Sequence, residues 1–186
     1  MKLPADWQAF LMRLQSQFPE AVIAGGALRD LILQRDIRDI DIFVQSRGKM
    51  TEPMINMALG TFVQPMNPEW VKDYEEHLPE LFAVYELGGY DEESRPFQII
   101  ALNMEVTPKS VIDRIDFGIC RVAHDGEVFI ITREFTKDAE QQTFTLVHTN
   151  NRQSSQKRFY RLTEEKYLGY GAVDLWEPKR FEELFI

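Results

Sequence analysis

The sequence predicts an α+β fold in which helices flank a mixed β-sheet. Helical and strand-like segments mix along the 186 residues, and the turn signal His124-Asp125-Gly126 joins two strand-like segments as a hairpin. No internal repeat or long linker divides the chain. We therefore expect one domain over residues 1–186, with a core at 5–150 and a C-terminal helical segment at 151–186.

Apolar periodicity assigns the elements of the first half. Trp7, Phe10, Leu11 and Leu14 recur at i, i+3, i+4 and i+7, which is the pattern of a helix with one buried face. Prolines and glycines between 46 and 68 favour a loop. The elements predicted here are helix 5–17, strand 21–24, helix 27–33, strand 39–44, loop 46–68 and a short helix from 67 to 77.

Runs rich in β-branched and aromatic residues dominate the second half and predict strands. The hairpin turn places one strand on each side of it, and two amphipathic stretches indicate helices. The elements predicted here are strands 81–87, 97–103, 115–123 and 127–132, helix 133–142, strand 143–149 and helix 155–167.

The composition is that of a globular protein and argues against several functional classes. Apolar residues make up 44% and charged residues 27%, and no apolar run approaches the roughly 20 residues that span a bilayer. The first residues do not resemble a signal peptide, and the single Cys120 excludes an internal disulfide. We expect a cytoplasmic protein without a membrane partner.

The net charge of −9, from 21 basic and 30 acidic residues, is unfavourable for binding nucleic acid through charge alone. A metal–triphosphate ligand is compatible with it, because the metal supplies positive charge locally.

Gly25 and Gly26 separate a predicted strand from a predicted helix. Glycine backbone lets a phosphate approach closely, and the free N–H groups of a helix start favour an anion. A plain turn is the alternative interpretation of a Gly-Gly pair. The order strand, Gly-Gly, helix favours a phosphate-binding turn.

Asp39 and Asp41 are two residues apart on a predicted strand, so both side chains point to one face. Paired carboxylates bind hard cations such as Mg²⁺ together with phosphate oxygens. A solvent-facing polar stripe is the alternative. Because the pair follows the Gly-Gly turn closely, we predict a site for Mg²⁺ or Mn²⁺.

The segment from Ala24-Gly25-Gly26-Ala27-Leu28-Arg29-Asp30 to Asp39-Ile40-Asp41-Ile42 resembles the head domain of CCA-adding enzymes and bacterial poly(A) polymerases. These enzymes belong to the DNA polymerase β-type nucleotidyltransferases. A looser similarity to small phage-type nucleotidyltransferase-like proteins extends through Arg161 to Tyr170. The resemblance implies a nucleotidyltransferase-type fold and a metal-dependent transfer of a nucleoside monophosphate from a nucleoside triphosphate such as ATP.

The resemblance also implies roles for individual residues. Asp39 and Asp41 match the metal-binding pair, Gly25 and Gly26 the phosphate-binding turn, and Arg29 an arginine near the triphosphate. In the alternative interpretation Arg29 forms a salt bridge with Asp30 or Asp36.

The third carboxylate of such sites usually comes from a neighbouring strand. Asp116, between apolar residues in Arg114-Ile115-Asp116-Phe117, is the favoured candidate, as a metal ligand and catalytic residue. A rival alignment places Gln98 at this position, and an amide there would weaken the metal site.

One basic and aromatic stretch bears on the acceptor. Lys157, Arg158 and Arg161 lie on a predicted helix, where a solvated basic face is the simpler interpretation and a nucleic-acid contact the sharper one. The scattered histidines are set aside as turn or surface residues, and Cys120 as a core thiol.

The leading hypothesis is a minimal nucleotidyltransferase that acts on a hydroxyl of RNA, protein or a small molecule and releases pyrophosphate. We expect no complete CCA addition, because the chain leaves no room for further RNA-binding domains. The alternatives are a metal-dependent phosphohydrolase and a catalytically inactive module that keeps the fold, such as a phage-encoded protein that acts on a host factor.

Overall fold

A mixed β-sheet forms the centre of the protein. The computed structural model describes residues 1–67, 71, 78–88 and 95–175. Within them the main strands are β1 (Val22–Ala24), β2 (Ile40–Gln45), β3 (Gln64–Pro65), β4 (Leu81–Leu87), β5 (Phe97–Leu102), β6 (Val122–His124) and β7 (Phe129–Ile131). Their order in the sheet is β3-β4-β5-β2-β1-β6-β7.

Strands β2 and β5 are parallel, and every other neighbouring pair of this sheet is antiparallel. Two further strands, β8 (Thr143–Thr145) and β9 (Gly171–Val173), pair in parallel as a separate small sheet. The described helices are α1 (Ala5–Gln15), α2 (Gly26–Ile32), α3 (Thr51–Leu59), α4 (Pro108–Ile112), α5 (Arg133–Gln141) and α6 (Arg152–Glu165). The predicted α+β class, a mixed sheet flanked by helices, is confirmed.

Apolar clusters cover both faces of the sheet and a third lies beside it. On one face Trp7, Leu11 and Leu14 of α1 are fully buried, as the helical spacing predicts. Residues of α4 belong to the cluster on the other face. The third cluster surrounds Phe144 of β8, whose ring makes edge-to-face contacts with aromatic side chains of α6 and of the segment that follows it.

The loop predicted at 46–68 is wrong, because it contains a 3-10 turn at Gly48–Met50, the helix α3 and strand β3. Pro53 lies in the first turn of α3, where a backbone N–H would have no helical partner and proline is tolerated. Gly60 ends the helix in the left-handed conformation, with φ of 67°. These residues mark the ends of a helix.

The strand predicted at 115–123 is also wrong except at its end, where β6 begins at Val122. The structure has helix α4 just before it and a 3-10 turn at Gly118–Cys120 within it. Thr107 starts α4 through a capping box with Ser110. Residues 116–120 are all buried rather than alternating, and Phe117, Ile119 and Cys120 belong to the Phe144 cluster.

The remaining predictions differ mainly at element ends. The hairpin of β6 and β7 is confirmed, and Asp125 stabilises its turn by accepting from the backbone N–H groups of Glu127 and Val128, at 2.9 Å each. Helix α6 begins three residues earlier than predicted, because Asn151 caps it. Strand β9 was not predicted. The helix expected from 67 to 77 lies outside the described residues except at positions 67 and 71, so it stays a prediction.

No helix in the described ranges combines the length and the hydrophobicity needed to cross a membrane. The assignment of 1–186 to one domain, with its boundary near residue 150, stays a prediction.

Candidate active site

A cleft of about 770 Å³ lies between the sheet, α2 and α6. Its lining includes residues from segments far apart in the sequence. The residues of sequence interest that line it are Gly25, Gly26, Arg29, Asp39, Asp41, Gln98, Asp116, Lys157, Arg158 and Arg161. The structure therefore brings together every residue that the sequence analysis assigned to the site.

The Gly-Gly turn lies where β1 ends and α2 begins. Gly25 has φ of 86° and ψ of −134°, a conformation that side-chain-bearing residues rarely adopt. Its N–H donates to the carbonyl of Val122 at 3.0 Å, so it still pairs with the neighbouring strand. Gly26 begins α2 and is partly exposed toward the cleft. The turn presents backbone without a Cβ barrier, as phosphate binding requires.

Asp39 and Asp41 flank the first residue of β2, and both line the cleft. The Asp39 side chain is 22% exposed, and its Oδ2 accepts from Nε of Arg38 at 2.9 Å. The sequence analysis placed the start of this strand at Asp39, whereas β2 starts at Ile40. Asp39 therefore lies just before the strand. Asp41 lies within the strand, in register with Gln98 of β5.

Gln98 continues a row of polar side chains across three strands. It is opposite Asp41 on the parallel side and opposite Glu86 of β4 on the antiparallel side. Gln98 is 7% exposed, and its Nε2 donates to Oε2 of Glu86 at 3.1 Å. The neighbouring-strand position beside the aspartate pair is thus occupied by an amide.

Asp116 lies on the segment between α4 and the 3-10 turn, not on a strand. Its side chain is 3% exposed, and its Oδ1 accepts from Nη1 of Arg158 at 3.3 Å and from the N–H of Phe117 at 2.9 Å. Among the described residues, Oδ2 of Asp116 has no hydrogen-bond partner. The charge of Asp116, aided by that of Asp41, raises the pKa of Arg158 above its ordinary value. Arg158 therefore lies in the field of both carboxylates.

A divalent metal fits the donor chemistry of this cleft. Oxygen atoms of Asp39, Asp41 and Gln98 are of the kind that Mg²⁺ and Mn²⁺ prefer. The buried Oδ2 of Asp116, which has no hydrogen-bond partner among the described residues, is of the same kind. Over the described part of the chain, however, no three His, Cys, Asp or Glu side chains form a group that could hold a metal ion. The aspartate pair is the acidic part of the candidate site, and the third ligand stays a prediction.

Arg29 is held in a buried network beside the cleft. Its Nε donates to Oδ1 of Asp30 at 2.7 Å and to the Tyr167 hydroxyl at 2.9 Å, and its Nη1 donates to Sγ of Cys120 at 3.0 Å. Lys166 donates to the other oxygen of Asp30 at 3.0 Å. This network attaches α2 to the segment after α6, and the salt bridge between Arg29 and Asp30 is the one considered in the alternative interpretation.

The sequence model of one protein family matches residues 6–142, and that family is described as Gabija anti-defense 2. The match covers well over half of the chain. This chain belongs to the Gabija anti-defense 2 (Gad2) family. No curated protein matches it significantly.

Solved structures similar to this Gad2-family chain include CCA-adding enzymes. A CCA-adding enzyme in complex with ATP has a TM-score of 0.64 and 17% identity, over 92% of this chain and 40% of that one. The Bacillus stearothermophilus CCA-adding enzyme in complex with CTP has a TM-score of 0.59 and 16% identity, over 94% and 42%. The Thermotoga maritima enzyme complexed with tRNA has a TM-score of 0.55 and 17% identity, over 88% and 37%.

The Gad2-family chain therefore spans less than half the length of these enzymes. At such identities the likeness shows the fold alone, and the nucleotidyltransferase-type fold that the sequence resemblance predicted is the one shared with these enzymes.

Sequence reasoning missed two features of this Gad2-family cleft. Glu86 joins the polar row, and its signal was a lone acid near the end of the mainly apolar strand 81–87. The pairing of Arg158 with Asp116 had no local signal, because the two residues are 42 positions apart.

Proposed function

We propose that this chain is a metal-dependent nucleotidyltransferase that moves a nucleoside monophosphate from a nucleoside triphosphate to an acceptor hydroxyl. The observation that carries the proposal is the meeting of the Gly25–Gly26 turn and the pair Asp39 and Asp41 in one cleft. This cleft belongs to a fold whose solved examples include complexes with ATP and CTP.

In the proposed reaction the acceptor oxygen forms a bond to the α-phosphorus. The bond between that phosphorus and the oxygen that bridges it to the β-phosphorus breaks, and pyrophosphate leaves. The hydroxyl proton passes to solvent. Asp39 and Asp41 would hold Mg²⁺ or Mn²⁺, and an ion there would supply Lewis-acid chemistry for the attacking hydroxyl and the departing pyrophosphate. Gly25 and Gly26 would accommodate the triphosphate.

Basic residues on α6 support binding of the triphosphate or of a charged acceptor. Lys157, Arg158 and Arg161 line the same cleft as the aspartate pair. Arg29 is predicted to lie near the triphosphate. Because it is buried in the network with Asp30, it would support the Gly25–Gly26 turn from behind. The acceptor is RNA, protein or a small molecule, and the CCA-adding enzyme solved with tRNA keeps nucleic acid among these classes.

The family description adds a biological setting. We infer that the transfer serves to counter the Gabija defence, inside a cell infected by a phage that encodes this chain. Modification of a host factor by a nucleoside monophosphate is a direct way for an enzyme of this kind to do so. A cytoplasmic location follows from such a role.

The second candidate is a catalytically inactive module that keeps the fold and binds a host factor. Gln98, an amide in register with Asp41, favours it, because the site would then lack the charge of a third carboxylate. In that case nucleotide or partner binding would remain without transfer.

Label transfer separates the two candidates. The protein would be incubated with Mn²⁺ or Mg²⁺, each α-labelled nucleoside triphosphate and an extract from cells that carry the Gabija system. We expect label on an acceptor with the wild-type chain, none with Asp41→Asn, and wild-type labelling with Glu140→Gln, an exposed carboxylate of α5 outside the cleft. Equal labelling by Asp41→Asn would refute the proposed site. No label on any macromolecule or small molecule would favour the binding module.

A further inference from the structure

Asp41, Gln98 and Glu86 form a polar row across β2, β5 and β4. We infer that Glu86 is a positioning residue that orients the Gln98 amide, so that the amide supplies a neutral third oxygen ligand beside Asp41. This inference rests on the proposed function and specifies the ligand set of the same site.

The sheet register fixes the order of the three side chains. Gln98 is paired with Asp41 across the parallel β2–β5 ladder and with Glu86 across the antiparallel β4–β5 ladder. Residues directly opposite one another in neighbouring strands have side chains about 5 Å apart on the same face. Gln98 therefore has an acidic neighbour on each side, and all three residues line the cleft.

The hydrogen bond to Glu86 decides which end of the amide faces Asp41. A carboxylate only accepts hydrogen bonds, so it selects the NH₂ end of a neighbouring amide. Nε2 of Gln98 donates to Oε2 of Glu86 at 3.1 Å. Because β5 lies between β4 and β2, an amide held through its NH₂ end by Glu86 of β4 can turn its carbonyl oxygen toward Asp41 of β2. The 7% exposure of Gln98 restricts other rotamers and holds this orientation.

An amide oxygen is a suitable ligand for a hard cation but brings no charge. The site then offers two aspartates and one neutral ligand, so a divalent ion alone would bind weakly. The phosphates of the nucleotide would supply the missing negative charge. We therefore expect metal and nucleoside triphosphate to bind together, each strengthening the affinity of the other.

Mn²⁺ binding, measured by electron paramagnetic resonance of the free ion, tests the inference without any turnover. The full chain would be titrated with Mn²⁺ in the absence and in the presence of an α,β-nonhydrolysable triphosphate. After the Mn²⁺ that the analogue binds in a protein-free titration is subtracted, we expect the analogue to tighten Mn²⁺ binding to the chain by about tenfold or more. Glu86→Gln removes the preference for one amide orientation and should weaken Mn²⁺ binding about tenfold, the lower end of the range for residues that orient metal ligands. Glu140→Gln should match the wild type.

The exchange Glu86→Gln with Gln98→Glu provides a second, independent variant. It keeps the hydrogen bond, because Gln at 86 donates to Glu at 98, and it keeps the net charge of the pair. It places a carboxylate beside Asp41, so Mn²⁺ without nucleotide should bind more tightly than to the wild type. Circular dichroism would confirm that each variant is folded.

Two results would overturn this inference alone. One is an unchanged Mn²⁺ affinity in both Glu86→Gln and the exchanged variant. The other is a tenfold loss with Asp116→Asn but none with Glu86→Gln, which would return the third ligand to Asp116. If the wild type does not bind Mn²⁺ at all, with or without the analogue, then the proposed function fails together with this inference.

Discussion

Asp138 of α5 is fully buried and accepts four hydrogen bonds from described residues. Its Oδ2 accepts from the backbone N–H groups of Ile119 and Thr145, at 2.8 and 2.9 Å. Its Oδ1 accepts from the hydroxyls of Thr143 and Thr145, at 2.9 and 2.6 Å. One carboxylate thus joins α5 to strand β8 and to the 3-10 turn that follows Asp116.

The two oxygens have different kinds of donor, so substitutions of Asp138 should differ in a predictable order. In Asp138→Asn the remaining oxygen can accept from both backbone N–H groups, and the new NH₂ can donate to both hydroxyls, which also accept. Only the charge is lost, at a cost of about 1 kcal/mol. In Asp138→Ala both backbone groups lose their acceptor, at about 1–3 kcal/mol for each when buried. We expect a total loss of about 3 kcal/mol.

Urea unfolding followed by circular dichroism measures both values. For a chain of this length about 3 kcal/mol corresponds to a fall in Tm of about 6–12 °C. Equal destabilisation by Asn and Ala would show that the charge, not the acceptor geometry, stabilises the turn. A negligible effect of Ala would show that water replaces the carboxylate.

Three further perturbations test neighbouring contacts. Gly118→Ala should destabilise by about 1–3 kcal/mol in the same unfolding assay, since its Cβ would lie 2.6 Å from Oδ2 of Asp138. Tyr167→Phe removes a hydroxyl that donates to Asp30 at 2.6 Å and accepts from Arg29, and should cost about 1.5–3 kcal/mol because both partners are charged. Burial raises the pKa of Asp30, but the hydrogen bond and charge of Arg29, together with hydrogen bonds from Tyr167 and Lys166, outweigh burial and hold that pKa below its ordinary value. The resulting stability should therefore be present above about pH 4 and decline as the pH falls further. Asp30→Asn should show a shallower acid decline when Tm is measured against pH.

Local signals in the sequence were sufficient for much of the fold. Helix α1 followed from the spacing of its buried side chains, and the β6–β7 hairpin from the turn at Asp125 and Gly126. The Gly25–Gly26 turn and the aspartate pair were found because their chemistry depends on short spacings. Each of these features is determined by residues that lie within about fifteen positions of one another in the sequence.

The errors arose where structure depends on distant contacts. Pro53 near the start of α3 was interpreted as a loop residue, because a proline at a helix start and a proline in a loop look alike in sequence. The alternation around Asp116 suggested a strand, but Phe117 packs edge-to-face on Phe144, a contact between segments 27 residues apart. Likewise Gln98 acquires Glu86 as a partner only through the register of β4 and β5, which no short motif encodes.

The acidic net charge of the chain does not describe the cleft. Over the whole sequence 30 acidic residues outnumber 21 basic ones, whereas the described residues that line the cleft include seven basic and six acidic side chains. At physiological ionic strength charges more than about 8 Å apart are largely screened when exposed, so a ligand in the cleft responds to the local set. That set includes Asp39 just before β2, Asp41 within β2, and Lys157, Arg158 and Arg161 on α6. A ligand that carries both a divalent cation and phosphate charge matches a cleft that holds both signs, whereas a long bare polyanion would also meet the acidic surface outside the cleft. Charge distribution thus supports a nucleoside triphosphate with its metal more strongly than an extended nucleic-acid strand.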